Sequence, residues 1–257
     1  MTAEVRTLIL RAPGTNCDVE TAFAFEMAGA HVDLVHVGEL MRRQRLLSGY
    51  QIMVIPGGFT YGDDVSAGRI LANELRLKLG DDIQEFVDDG RLVLGICNGF
   101  QALVKAGLLP GQHRRNSQPL TLAGNASGRF ECRWVHLRGN QTSPCVFTQG
   151  VDFMYLPVAH AEGKVVIASY VRDEVNVALH YSDEMGDTRA GYPHNPNGSV
   201  NNIAGICDAT GRIFGLMPHP ERFVRWTQHP RWTTEPRRDH GDGLRIFLNA
   251  VQWAASI

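Results

Sequence analysis

Cys97 stands at the end of the apolar run Leu92–Ile96, with Gly95 before it and Gly99 after it, and the helical pattern Asn98–Lys105 begins at the next residue. A Gly-x-Cys-x-Gly sequence in that setting predicts the cysteine form of the nucleophile elbow, a tight strand-to-helix turn that lifts the reactive atom clear of its own backbone. A side chain at Gly95 or Gly99 would crowd such a turn. The turn also aims the first free N–H groups of the helix at the sulfur, where they stabilise an anion formed beside it. Cys97 is therefore the candidate nucleophile.

A thiol that attacks a carbonyl carbon needs a base to move its proton, and the base needs an orienting partner. His219 and Glu221, in Met217-Pro218-His219-Pro220-Glu221, follow the apolar run Ile213–Met217. They are expected at the carboxyl edge of a sheet, where α/β proteins gather their sites. The flanking prolines stiffen the segment and let the carboxylate turn back to the imidazole on the side away from Cys97. A third piece, Ile55-Pro56-Gly57-Gly58-Phe59, also follows a strand-like run. Its glycines allow close backbone approach, and the N–H of Gly58 with that of Asn98 would form an oxyanion hole. Each piece alone has a plain structural explanation: a hydrogen-bonded histidine, a small buried cysteine, an ordinary Pro-Gly-Gly turn. Their combination on one sheet edge carries the chemical reading.

The elements that must position these residues are legible as alternation. Strand-like Arg6–Arg11, His31–Val37, Gln51–Ile55 and Leu92–Ile96 are separated by helical patterns, which predicts βαβ units: an open, mostly parallel twisted sheet with helices on both faces. Thr15 or Asn16 is expected to cap a first helix that opens with Asp18 and Glu20 and stops at Gly29. Ser66–Val87 reads as a helix in two pieces broken near Gly80. In the second half Phe130–Leu137, Phe153–Ala159, Val165–Tyr170 and Val175–Tyr181 read as strands added antiparallel to the sheet edge. Strand Ile213–Met217 and helix Gly243–Ala255 close the chain. The polar loop Ala190–Asn202 is either disordered or functional at that length. Residues 1–257 are read as a single domain, without repeats or linkers.

With 44% hydrophobic and 20% charged residues and a formal charge of −2, the chain has the composition of a globular protein and no long-range pull toward nucleic acid or anionic lipid. Arg42, Arg43 and Arg45 read as a solvated face or turn. No apolar run is long enough to cross a bilayer, and Met1–Arg6 lacks a signal-like start, so a cytoplasmic location is expected. The five cysteines, Cys17, Cys97, Cys132, Cys145 and Cys207, are widely spaced with no C-x-x-C pair, which argues against a disulfide framework and a structural zinc site. No metal is expected, and the cysteines other than Cys97 read as packing residues. The sequons at Asn125, Asn140 and Asn197 carry no meaning in that compartment.

Pro56–Asp64, Gly95–Gln101 and Met217–Arg222, in that order, resemble the triad-type (class I) glutamine amidotransferases. Residues 13–18 (PGTNCD), 59–64 (FTYGDD), 129–135 (RFECRWV), 159–163 (AHAEG) and 195–199 (NPNGS) narrow the likeness to the glutaminase subunits of phosphoribosylformylglycinamidine synthases, and it runs from about residue 6 to the C-terminal helix. The resemblance implies that Cys97 attacks the side-chain amide of glutamine, His219 moves the proton and Glu221 orients His219. A glutamyl thioester forms, ammonia leaves, and water releases glutamate. It implies Gly58 as an oxyanion donor, and Gly57, Gln101 and His160 at the substrate. His160 and Glu162 would recognise the amino-acid end of glutamine or brace the substrate loop. Asn16-Cys17-Asp18 is explained by helix capping and core packing.

The chain has neither a Gly-x-x-x-x-Gly-Lys-[Ser/Thr] phosphate loop nor a Gly-x-Gly-x-x-Gly turn, so no cofactor is expected on it. The resemblance places ATP and Mg on a separate synthetase subunit, joined by a small accessory subunit. That partner would take up the ammonia to convert formylglycinamide ribonucleotide to formylglycinamidine ribonucleotide in de novo purine biosynthesis. The competing readings are the glutaminase subunit of a different amidotransferase, another Cys-elbow hydrolase, and a non-enzymatic regulatory subunit. A glutamate product assay and covalent trapping of Cys97 separate them.

Overall fold

The computed structural model describes residues 4–111 and 118–257, so that part of Met1–Arg6 lies outside the described residues. Its strands are β1 (Arg6–Arg11), β2 (His31–His36), β3 (Ile52–Ile55), β4 (Leu92–Ile96), β5 (Leu120–Gly124), β6 (Glu131–Gly139), β7 (Phe153–His160), β8 (Glu162–Ile167), β9 (Asn176–Ser182), β10 (Ile203–Cys207) and β11 (Ile213–Leu216). The α-helices are α1 (Asp18–Met27), α2 (Val37–Met41), α3 (Arg69–Lys78), α4 (Gly80–Asp88), α5 (Asn98–Ala106) and α6 (Leu244–Ala254).

Nine strands form one sheet in the order β2-β1-β3-β4-β11-β10-β9-β6-β7. The β2-β1-β3-β4-β11 half is parallel throughout, and β10, β9, β6 and β7 extend it antiparallel. Every residue of β3, β4 and β11 is buried, as expected for the centre of a sheet covered on both faces. α5 packs on β3, β4 and β11 and against α3, while α1 packs on β1 and β2 and meets α6. Phe25 and Phe247 join those last two helices edge to face at 5.0 Å. The α/β architecture, the elbow joint and the antiparallel extension thus follow the sequence expectation.

Four details differ from it. Val165–Tyr170 does not join the main sheet: β8 pairs with β5 in a separate two-stranded ladder, and Ser169–Glu174 coils into a 3-10 helix. Alternating apolar residues specify a strand but not its neighbour. β5 and β10 were not among the expected strands, although Leu120-Thr121-Leu122 alternates and Ile203–Cys207 is an apolar run bounded by polar turns. The first helix is capped by neither Thr15 nor Asn16. Cys17 takes the N-cap position without a side-chain bond, Thr15 Oγ1 accepts the Ala12 N–H at 3.0 Å, and Asp18 turns to Arg11 at 2.6 Å. Val37 begins α2 and is not the end of β2, because His36 caps the next helix by accepting the Gly38 N–H through Nδ1 at 3.0 Å.

Candidate active site

β4 runs into α5 through Cys97, whose φ of +51° and ψ of −104° lie where L-residues are rarely found. Such a conformation costs about 1–3 kcal/mol and persists only where its surroundings hold it. Here the Cys97 N–H donates to Leu216 of β11 at 2.8 Å, and its carbonyl accepts the Gln101 N–H at 3.1 Å. A Cβ on Gly95 would stand 2.8 Å from the Gly99 carbonyl carbon, and one on Gly99 would run into the Ile55 carbonyl. Both glycines let α5 start hard against the sheet. The Cys97 thiol donates to the Ala159 carbonyl at 3.8 Å, and the residue is 6% exposed.

The carboxyl end of β11 delivers His219, whose N–H donates to Pro157 of β7 at 2.9 Å. The following turn, Pro220–Arg222, folds Glu221 back so that its Oε1 lies 2.6 Å from His219 Nδ1, with both side chains buried. Burial disfavours charge on His219. The Glu221 carboxylate, followed by the Cys97 and Cys17 sulfurs, outweighs it and lifts the pKa well above the ordinary histidine value. With Nδ1 committed to Glu221, Nε2 is the free ring nitrogen. It has no partner among the described residues.

Gly57 and Gly58 cross beside these side chains. A Cβ on Gly57 would sit 2.9 Å from His219 Cε1 and 3.1 Å from Cys17 Sγ, so this glycine makes room for the imidazole. Gly58 has φ +150°, and a Cβ there would meet the Asn16 nitrogen and the Gly14 oxygen at 2.9 Å. Its N–H donates to no group among the described residues, and the Asn98 N–H, in the first turn of α5, has no partner within the helix. The Asn98 side chain ties the elbow to the next loop. Its Oδ1 accepts the Thr60 hydroxyl at 2.6 Å, and its Nδ2 donates to Asp63 Oδ1 and Gln101 Oε1, each at 3.0 Å. Gln101 in turn donates to the Glu162 carbonyl at 2.5 Å, so it braces α5 against the 160–163 turn and keeps one N–H to spare.

His160 is buried beside this turn. Asn125 Nδ2 donates to the Arg129 and His160 carbonyls at 2.9 and 2.8 Å, and its Oδ1 accepts the Gly163 N–H at 3.1 Å. That orientation makes the 3.1 Å contact with His160 Nδ1 an Nδ1–H donation, leaving Nε2 a buried acceptor without a partner among the described residues. Burial, and then the charge on His219, push the His160 pKa down to about 3. The ring is therefore a neutral acceptor. The Ala190–Asn202 loop is ordered: Asn197 donates to Gly163 and Tyr181, and Ser199 Oγ accepts the Val165 N–H at 2.9 Å. It pins the β8 end of the wall to the buried Tyr181.

Cys17 was expected in the core. The structure sets its buried thiol at the site, 3.1 Å from Arg222 Nη2 and in one cluster with His219 and Glu221. The readable signal was its position at the carboxyl end of β1, on the same edge as the triad.

A cysteine elbow, a buried histidine–glutamate pair and paired amide donors on one edge of a parallel sheet define the class of triad-type glutamine amidotransferases. The sequence profile of the CobB/CobQ-like glutamine amidotransferase domain matches residues 4–254. The chain is 56% identical over 255 residues to the phosphoribosylformylglycinamidine synthase subunit PurQ of Dehalococcoides mccartyi, covering 99% of this chain and 100% of the relative. It is 40% identical to the PurQ subunit of Methanococcus maripaludis, covering 96% and 97%. The chain belongs to the PurQ family of glutamine amidotransferases. A chain in the structure of PurLQS from Thermotoga maritima superposes with a TM-score of 0.75 at 32% identity, covering 97% of this chain and 99% of that one. A glutamine amidotransferase of Thermotoga maritima shares the fold at 17% identity and a TM-score of 0.56, covering 97% and 96%.

Proposed function

We propose that the chain is the glutaminase subunit of a phosphoribosylformylglycinamidine synthase, releasing ammonia from glutamine through a thioester on Cys97. The observation that carries this is the buried His219–Glu221 pair beside a strained cysteine elbow. Cys97 attacks the side-chain carbonyl carbon of glutamine. The oxyanion that forms is met by the N–H groups of Gly58 and Asn98, which are already in place and need no rearrangement. His219 takes the Cys97 proton on Nε2, gives it to the departing nitrogen and then takes one from the water that cleaves the thioester. Glu221 stabilises each imidazolium and fixes its orientation.

His160 Nε2 and the spare N–H of Gln101 supply an acceptor and a donor for the amino-acid end of glutamine, with Gly57 holding His219 clear of it. At 6% and 2% exposure, Cys97 and His219 are walled in, so glutamine reaches the sulfur only after a wall segment moves. Such movement fits activation by a partner. ATP and Mg2+ belong to a synthetase subunit, with a small accessory subunit completing the assembly, and the ammonia passes to formylglycinamide ribonucleotide there. No helix among the described residues is long and apolar enough to cross a membrane.

The test is glutamate release by the chain with and without its synthetase subunit. The proposal expects hydrolysis that rises on complex formation and disappears with Cys97→Ala. Glutamine left intact by the assembled complex would overturn it.

A further inference from the structure

We propose that Cys17, His219 and Glu221, completed by Asn16, form an inhibitory site for a borderline-soft divalent cation such as Zn2+. Sulfur, nitrogen and oxygen ligand atoms of the three residues lie within 4.8 Å of one another, and all three residues are buried. Tetrahedral zinc, with ligand bonds of about 2.0–2.3 Å, holds its ligand atoms roughly 3.3–3.8 Å apart, so the ion takes the place of the 2.6 Å His219 Nδ1–Glu221 Oε1 hydrogen bond, whose atoms must part by roughly an ångström to admit it. Asn16 Oδ1 accepts the Cys17 thiol at 3.3 Å and stands ready as a fourth ligand once that proton is gone. A thiolate, an imidazole and a carboxylate suit zinc, whereas magnesium and calcium take oxygen sets.

Two further observations point to a cation. Glu221 Oε2 is completely buried and has no hydrogen-bond partner among the described residues, an expensive state that a metal ion would relieve. A positive group already faces the same atoms: Arg222 donates to Cys17 Sγ from Nη2 at 3.1 Å and holds Nε 3.8 Å from Glu221 Oε1. Arg222 is the ion's competitor. Its side chain is 37% exposed and 3.8 Å from Glu20, so it has a route outward and a partner there.

Binding releases the Cys17 thiol proton to the buffer and displaces the proton of His219 Nδ1, so that only Nε2 can carry a ring proton. The remaining ring proton stays on Nε2, which then has no lone pair with which to take a proton from Cys97 or water. The metal thus stops the base without touching Cys97. This consequence for activity rests on the triad reading above, but metal binding does not.

The experiment titrates Zn2+ into the chelator-treated chain against a chromophoric zinc competitor, and in parallel follows glutamine hydrolysis by the complex with its synthetase subunit, each variant scored against its own metal-free rate. The wild type and Cys97→Ser are expected to bind one Zn2+ with similar affinity, and Cys17→Ser to bind at least 100-fold more weakly with inhibition relieved to the same extent. Arg222→Ala, which keeps every ligand, is expected to bind about tenfold more tightly. Undiminished binding by Cys17→Ser, loss of binding in Cys97→Ser, or unchanged or weaker binding by Arg222→Ala overturns the site. If the complex proves inactive, the binding titration still decides it.

Discussion

His219 Nδ1 and Glu221 Oε1 meet at 2.6 Å with both side chains buried, so a full negative charge is held against the imidazole where water cannot screen it. The rest of the site is arranged around that pair: Gly57 gives it room and Pro157 anchors its backbone.

Glu221→Gln keeps the shape of the pair and removes its charge. We expect kcat for glutamine to fall by about 10²–10⁴-fold, as removal of a charged orienting group does in such triads. The His219 pKa should fall as well, because its largest raising influence is gone. The raised value also stabilises the fold: that contribution is complete below the unfolded histidine pKa and is lost as pH rises through the folded one. Imidazole titration by NMR and urea unfolding at increasing pH, on both chains, check these outcomes.

His160 works in the opposite sense. Its folded pKa of about 3 lies below the unfolded value, so between the two the unfolded chain binds a proton that the folded chain refuses. The contribution is intact above the unfolded pKa near 6.5 and declines as pH falls toward 3, by up to about 1.4 kcal/mol per pH unit. His160→Gln should flatten that part of the acid side of the stability curve. Denaturant midpoints from pH 7 to pH 4 measure it directly.

Alanine at two glycines should separate activity from stability. Gly57→Ala places a methyl 2.9 Å from His219 Cε1, so it should displace the imidazole and abolish turnover. Gly99→Ala drives its methyl into the Ile55 carbonyl between helix and sheet, an overpacking expected to cost at least about 1–3 kcal/mol. Melting curves alongside glutaminase rates distinguish the two effects.

Local signals made much of this readable from the chain. Continuous apolar runs such as Leu92–Ile96 mark strands buried on both faces, and Gly-x-Cys-x-Gly marks the joint after them. Pro-His-Pro-Glu placed an imidazole and its carboxylate two residues apart, which a single turn converts into contact. What stayed hidden depends on long-range pairing. β8 finds β5 about forty residues earlier, a choice that neither segment's alternation encodes. Cys17 resembles a small core residue by type; its place at the carboxyl end of β1 hints at the site, but its contact with Arg222 depends on the meeting of α1 with a turn some two hundred residues later. The role of Asn125 as the group that sets the His160 tautomer likewise needs three carbonyl and N–H partners from separate segments.

Covalent trapping tests the central claim most directly. The complex with the synthetase subunit is treated with a glutamine-mimicking chloroketone, then digested and mapped by mass spectrometry. The account predicts one adduct, on Cys97, that excess glutamine prevents and that Glu221→Gln slows. An adduct on Cys17 or elsewhere with Cys97 unmodified, or labelling of Cys97 that glutamine does not affect, would contradict it.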